Sequence, residues 1–411
     1  MKYYIILFLL LLPAIISAGE TNQAAGAKSG YFNPDVSVIL DGVYQQSNQK
    51  NNIGSVLGNI KGFPAVAGGE AEPTEGFNPR ESELVLSSVA DPYFSGYLIA
   101  SMQAEGAGVE EAVIQTTSLP YGFEVKAGKL FSNLGRINSQ HGHAWDFIDR
   151  PLIYQLTLGE EGLNDTGVQV SYLAPTDFYL LGGLEAFQGN NELMFNYSGA
   201  PPLPQRSGPR VLVGWLKIAP NLPDKHALEV GTSFGRGLNQ KTLDNDDNGL
   251  DDQWLNGYVR FWGLDAVYKF NSLKAYGEGK WTVQAEYFNR QENLTVREDD
   301  LAPALSGQHD KSQQDGYYVQ ATYGFLPGWQ AGLRWEQVGL LNKDRLPDGT
   351  SVSFGETNRE SLALTYRLSE FSYLRLQFSD GKYETSSGCK NVSQVFLQLQ
   401  ISLGKHGAHK F

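Results

Sequence analysis

The sequence predicts an all-β chain, a transmembrane antiparallel β-barrel of about sixteen strands with short turns at one rim and long loops at the other. Three observations carry this. Several segments alternate apolar with small or polar residues at period 2, as a strand between lipid and a wet lumen does. Tight turns and longer polar segments alternate along the chain. No apolar run beyond the first eighteen residues approaches the roughly 20 residues of a spanning helix, so a membrane crossing by this chain must be a barrel.

Residues 1–18 read as a secretory signal: Lys2, an apolar stretch to Ile16 broken by Pro13, then Ser17-Ala18-Gly19. A cut after Ala18 leaves 19–34 as a short periplasmic segment and 35–411 as one barrel. The 411 residues are 41% hydrophobic and 12% aromatic, too much apolar surface for a disordered polymer. The single cysteine, Cys389, excludes an internal disulfide, and no zinc-ribbon spacing surrounds it. With 32 Lys+Arg against 45 Asp+Glu the net charge is -13, and loss of Lys2 with the signal makes it -14. That balance argues against a nucleic-acid partner and favours cations.

Each element follows from local pattern. Trp281, Val283, Ala285 and Tyr287 alternate with Thr282, Gln284 and Glu286; Leu362, Leu364 and Tyr366 with Ser361, Ala363 and Thr365. Leu374, Leu376 and Phe378 alternate with Arg375, Gln377 and Ser379, and Val395 to Leu403 with Phe396, Gln398, Gln400 and Ser402. Turn residues stand at 91–92, 118–121, 174–176, 219–223, 270–272, 326–328 and 368–370. Longer polar segments fill 45–80, 104–108, 132–164, 188–208, 235–255, 289–315, 340–356 and 380–391. Seven turns and eight loops join sixteen strands with both ends on the short-turn side, and fourteen or eighteen remain as alternatives where strands 8 and 10 are weak. Tyr93, Tyr97, Tyr121, Tyr268, Trp281 and Trp329 sit near strand ends, where an aromatic girdle would lie.

Several side chains carry candidate chemistry. Inward parity for Glu83, Glu111, Glu124, Glu229, Glu286 and Glu336, against Lys126, Arg334 and Arg375, gives a lumen richer in acid, the condition for mild cation preference. Asp244, Asp246, Asn248 and Asp252, with Gly249 in the run, have the oxygen-ligand spacing of a weak calcium loop; Leu255 stands where a bidentate Glu would be. A solvated acidic loop, or one bridged to lipopolysaccharide by divalent ions, fits equally. His309 with Ser306 and Asp310 is too local a grouping for a hydrolytic triad, and the chain is read as no enzyme.

The architecture resembles the porins of Gram-negative outer membranes. The segment Ile137-Asn138-Ser139-Gln140-His141-Gly142-His143-Ala144-Trp145-Asp146-Phe147-Ile148-Asp149-Arg150-Pro151-Leu152, with the Gly404 to Phe411 ending, looks like a poorly characterised proteobacterial porin-like family labelled zinc-regulated or TonB-dependent. The second label conflicts with the sequence, since 19–35 leave no room for a plug. The resemblance implies an outer-membrane address and a terminal Phe411 read by the barrel-insertion machinery. It also implies trimers and passive diffusion of small hydrophilic solutes or ions; a non-conducting, metal-binding surface barrel is the alternative. In porins the third loop, here 132–164, folds inward and sets the constriction. That loop holds His141 and His143, which point the same way in an extended backbone and could share one divalent ion with Asp146 or Asp149, flanked by Arg136 and Arg150. Hydrogen bonding of these side chains to the barrel wall is the simpler expectation. No cofactor is required, and zinc and calcium are the candidate ions.

Overall fold

A computed structural model describes residues 34–404, apart from 50–52, 65–74, 81, 104–105, 160, 192, 198, 200, 247–248 and 250. The expected signal at 1–18, the segment to Asn33, and the terminal 405–411 with Phe411 lie outside the described residues.

Sixteen antiparallel strands form one closed wall. They are β1 (Asp35–Ser47), β2 (Ser82–Val89), β3 (Phe94–Gln103), β4 (Gly106–Thr116), β5 (Phe123–Phe131), β6 (Asn164–Leu173), β7 (Tyr179–Phe187) and β8 (Val211–Ala219). There follow β9 (His226–Leu243), β10 (Gln253–Phe270), β11 (Trp281–Asp299), β12 (His309–Leu326), β13 (Trp329–Arg345), β14 (Thr357–Arg367), β15 (Ser372–Thr385) and β16 (Gly388–Gly404). Each pairs with its neighbours in sequence, and β1 closes the ring by pairing with both β2 and β16. Two short pieces add to this wall. Gly76–Pro79 pairs with β1 above β2, and Ser351–Ser353 pairs with β13 above β14, so each continues a neighbouring strand position rather than adding one.

The seven predicted turns all join consecutive strands at one rim, and both described chain ends lie there: Asp35 pairs with Ser87, and Ser37 with Gly404. The alternation also holds. In β15 Tyr373, Arg375, Gln377 and Ser379 are buried while Leu374, Leu376 and Phe378 are exposed, and β16 repeats the pattern from Val395 to Leu403. Exposed apolar side chains therefore gather on the outer face, as a lipid contact requires.

The outer loops differ from expectation. Strands β9 to β12 run 18, 18, 19 and 18 residues, against about 9–11 needed to span a bilayer. Segments read as loops at 235–255 and 289–315 are largely hairpin ladder, because backbone pairing continues into water wherever polar side chains can be solvated on both faces. Tyr97 also departs from the girdle. Its parity is inward, where its hydroxyl donates to Glu111 at 3.2 Å.

Candidate functional site: the third loop inside the barrel

The chain between β5 and β6 lies within the barrel, tied to strands from most of the ring. It makes short helical turns at Ile137–Ser139 and Gly142–Ala144, then a helix, α1, at Leu152–Leu158 whose seven residues are all buried. The apolar side chains Leu134, Leu152, Leu156 and Leu163 are fully buried and join one cluster with inward Phe187, Phe261, Phe288 and Tyr318 of the wall. The third loop thus packs against the inner wall through a continuous apolar cluster.

Three wall glutamates fasten this loop by its backbone. Glu185 accepts from Asn133 N–H at 2.9 Å, Trp215 Nε1 at 2.8 Å and the Ser132 hydroxyl. Glu286 accepts from the N–H groups of Arg136 and Ile137 at 2.8 and 3.0 Å, from the Tyr154 hydroxyl at 2.6 Å, and from the Tyr318 hydroxyl. Glu336 accepts from Leu152 N–H at 2.8 Å. Gly135 makes the approach possible: its φ is +57°, and a Cβ there would stand 2.0 Å from the Tyr154 hydroxyl.

The loop histidines meet a different acid set from the one predicted. His141 Nε2 donates to Glu111 Oε2 at 3.0 Å, and His143 Nδ1 to Glu83 Oε1 at 2.6 Å, with the two rings stacked 5.6 Å apart. His141 Nδ1 lies 3.2 Å from Glu110 Oε2 and 3.7 Å from Glu83 Oε2, and neither contact is a hydrogen bond. Glu110 is the residue the sequence did not reveal. A bulge in the β3 to β4 register pairs Ile99 with Glu111 and Ala100 with Val109, so Glu110 is the extra residue and both adjacent glutamates are buried. Burial alone would lower the pKa of His141, but the carboxylates of Glu110, Glu111 and Glu83 overrule it and hold it well above 6.5.

Asp149 belongs elsewhere. Its two oxygens take the guanidinium groups of Arg334 and Arg359, each at 2.7 Å, and Gln377 donates to it at 2.6 Å. Arg334 and Arg359 also meet Glu336 at 3.1 and 2.6 Å, so two acids and two bases form a buried, balanced group. Asp146 is half-buried and faces Gln330 at 3.4 Å. Arg136 reaches Glu229 at 3.4 Å, and Arg150 stacks over Trp145 at 4.9 Å. Of the other inward charges, Glu124 pairs with Lys126 at 3.3 Å, while Arg375 bonds Gln398 at 3.2 Å and Thr365 at 3.1 Å. Glu286, Arg334, Glu336 and Arg375 thus point inward but are covered, and no longer act as bare charges on water.

In the fifth loop the carboxylate atoms of Asp244, Asp246 and Asp252 lie within 4.8 Å of one another. Asn245 donates to Asp252 at 2.7 and 2.8 Å, and Gly249 N–H to Asp244 at 2.6 Å; Asn248 lies outside the described residues. His309 is exposed, with its ring 3.3 Å from the Thr295 hydroxyl.

Below the third loop a cavity of about 1310 Å³ reaches the short-turn rim. Its walls carry both signs, with Lys126, Arg136, Lys269, Lys280 and Arg367 against Asp35, Glu111, Asp146 and Glu370, and its inner end is Ile137 to His141.

A closed sixteen-stranded antiparallel barrel, with an apolar outer face and a loop folded against its inner wall, defines a porin-type transmembrane β-barrel. The chain belongs to the family of an uncharacterised protein from Aquifex aeolicus (strain VF5), to which it is 32% identical over 407 residues, covering 92% of this chain and 80% of the relative. No family model matches the sequence. Among solved structures, the chain is similar in fold to OmpT, an outer membrane protein of Vibrio cholerae in its trimer form (TM-score 0.54, 10% identity, 90% of this chain and 99% of that one). The outer membrane channel DcaP of Acinetobacter baumannii is similar at TM-score 0.54 and 13% identity, covering 90% and 96%. An anion-selective porin from Comamonas acidovorans matches at 0.54 and 10%, covering 90% and 99%. At these identities the likeness is one of fold.

Proposed function

We infer that this protein is an outer-membrane channel through which small hydrophilic solutes and ions diffuse, narrowed by its third loop. The cavity from the short-turn rim to that loop carries the inference, because a polar, mixed-charge vestibule ending at a constriction is what a diffusion pore needs. The fold neighbours that are named channels support it. Glu111 at the inner end of the cavity, with Glu83 and Glu110 buried close behind it around His141, favours a mild preference for cations, against the basic side chains nearer the mouth. The trimer form of OmpT supports assembly of three barrels. Planar-bilayer recording of the purified, folded barrel tests the function: small ohmic steps with a reversal potential shifted toward cations are expected, and a bilayer that stays silent at high protein load overturns it.

A barrel closed at rest is the second candidate. It is favoured by the contiguous apolar cluster that links Ile53 and Leu57 of the first loop, through Leu152 and Leu156, to Phe261 and Phe288 of the wall. Silence relieved by excision of the first loop would select it.

A further inference from the structure

Three buried atoms in the histidine cluster lack a hydrogen-bond partner: Glu83 Oε2, Glu110 Oε2 and His141 Nδ1. They lie within 4.8 Å of one another. The side chains of Glu83 and Glu110 are only 1% and 3% exposed, so water does not satisfy them freely. With Glu111 on the Nε2 side of His141, a ring that gives up its Nδ1 proton presents a lone pair directed at the same two carboxylate oxygens, the geometry of a ligand set. Acceptors gathered in a buried place repel one another unless a proton or a metal cation sits between them, and a metal ion takes the place of the Nδ1 proton.

We propose that Glu83, Glu110 and His141 bind one divalent transition-metal ion, with Glu111 and His143 orienting the ligands from behind. The spacing suits it. The Nδ1 to oxygen distances of 3.2 and 3.7 Å bracket the roughly 3.4 Å between ligands bonded at about 2.1 Å to a tetrahedral ion. The supporting bonds suit it too: a carboxylate on the far nitrogen of a ligating imidazole, and an imidazole on a ligating carboxylate, are how metal sites fix ring orientation. One imidazole and two carboxylates match zinc and its first-row neighbours, whereas calcium and magnesium take oxygen ligands alone. Access comes from the short-turn side, because His141 and Glu111 line the cavity there. The bulge turns Glu110 inward to His141, whereas on the opposite parity it would face lipid. The site stands whether or not the barrel conducts.

The test uses the folded full barrel in detergent, stripped with EDTA and titrated with zinc chloride by calorimetry. One zinc per chain is expected, weakened about tenfold or more by Glu110→Gln and by His141→Ala, and unchanged by His226→Ala or by the Asp244→Ala, Asp246→Ala pair. Millimolar calcium should not displace it. Zinc-edge X-ray absorption of the unaltered protein, which needs no variant to fold, should show one imidazole nitrogen among oxygen ligands. Absence of stoichiometric binding, binding indifferent to Glu110→Gln and His141→Ala, displacement by calcium, or a spectrum without imidazole each overturns the assignment; in the first case His141 is held as an imidazolium among its acids.

Discussion

Glu336 of β13 accepts the backbone N–H of Leu152 at 2.8 Å, supplying from the barrel wall the N-terminal cap that the loop helix lacks. Pro151 precedes that helix and offers no capping side chain, so its first amide would otherwise be orphaned in a buried place. The same carboxylate neutralises Arg334 and Arg359, coupling helix position to the charge balance of the wall.

Removal of Glu336 should therefore do more than remove one hydrogen bond. Glu336→Ala leaves two buried guanidinium groups with Asp149 alone, and a loss of about 3–5 kcal/mol is expected. Thermal melting in detergent, followed by loss of heat-modifiable gel mobility, measures it. A melting temperature within a degree or two of the parent would show the loop is held by packing instead.

Asp149 sets an acid response. Burial by itself would raise its pKa, but Arg334, Arg359 and the Gln377 amide hold it below the usual carboxylate range. A group depressed below its unfolded value of about 3.9 contributes in full above that pH and loses the contribution only as pH falls through the folded value. Loop docking should persist through pH 4 and weaken below it, and Asp149→Asn should be less stable at pH 7 yet flatter in stability between pH 4 and 2. Parallel pH profiles for parent and variant would remove Asp149 from the account.

Gly135→Ala should loosen the loop without removing a charge. The added methyl meets the Tyr154 hydroxyl at 2.0 Å and Glu286 Oε2 at 2.4 Å, at a φ of +57° that alanine resists. About 2 kcal/mol or more of destabilisation is expected, with faster proteolysis between β5 and β6. Wild-type protease resistance would contradict it.

On the lipid face, Leu376 pairs directly with Leu397, and both are exposed on the outer surface. Lysine at either position should cost about 2–4 kcal/mol if the pair lies at mid-bilayer. The yield of barrel folded into lipid vesicles should fall accordingly, while Lys382→Ala, further along the same face of β15, should fold as the parent. Equal yields would place the apolar band elsewhere.

Strand number and turn positions were legible because their causes are local. Period-2 alternation from Val395 to Leu403, and Pro, Asn and Ser at the seven turns, act over a few residues, and a one-residue slip would put every leucine of a strand into the lumen. Strand ends in the outer hairpins were less legible, since polar residues pair as readily as they loop once lipid no longer selects a face.

Which carboxylates act together was decided only by the closed barrel. Strict alternation with inward Glu111 would put Glu110 on the lipid side, and the β3 to β4 bulge, a property of two strands in register, turns it toward His141. Likewise Asp149 stands eight residues from His141 in the chain, yet is bound by Arg334 and Arg359. Glu286 and Glu336 are lumen charges by parity and loop anchors in fact, because what a carboxylate meets depends on where chain 132 to 184 residues away comes to rest. Hydrophobic pattern is written residue by residue and survives as sequence. Partnership among buried charges is a long-range choice of lowest desolvation cost, and it exists only once the ring has closed around the loop.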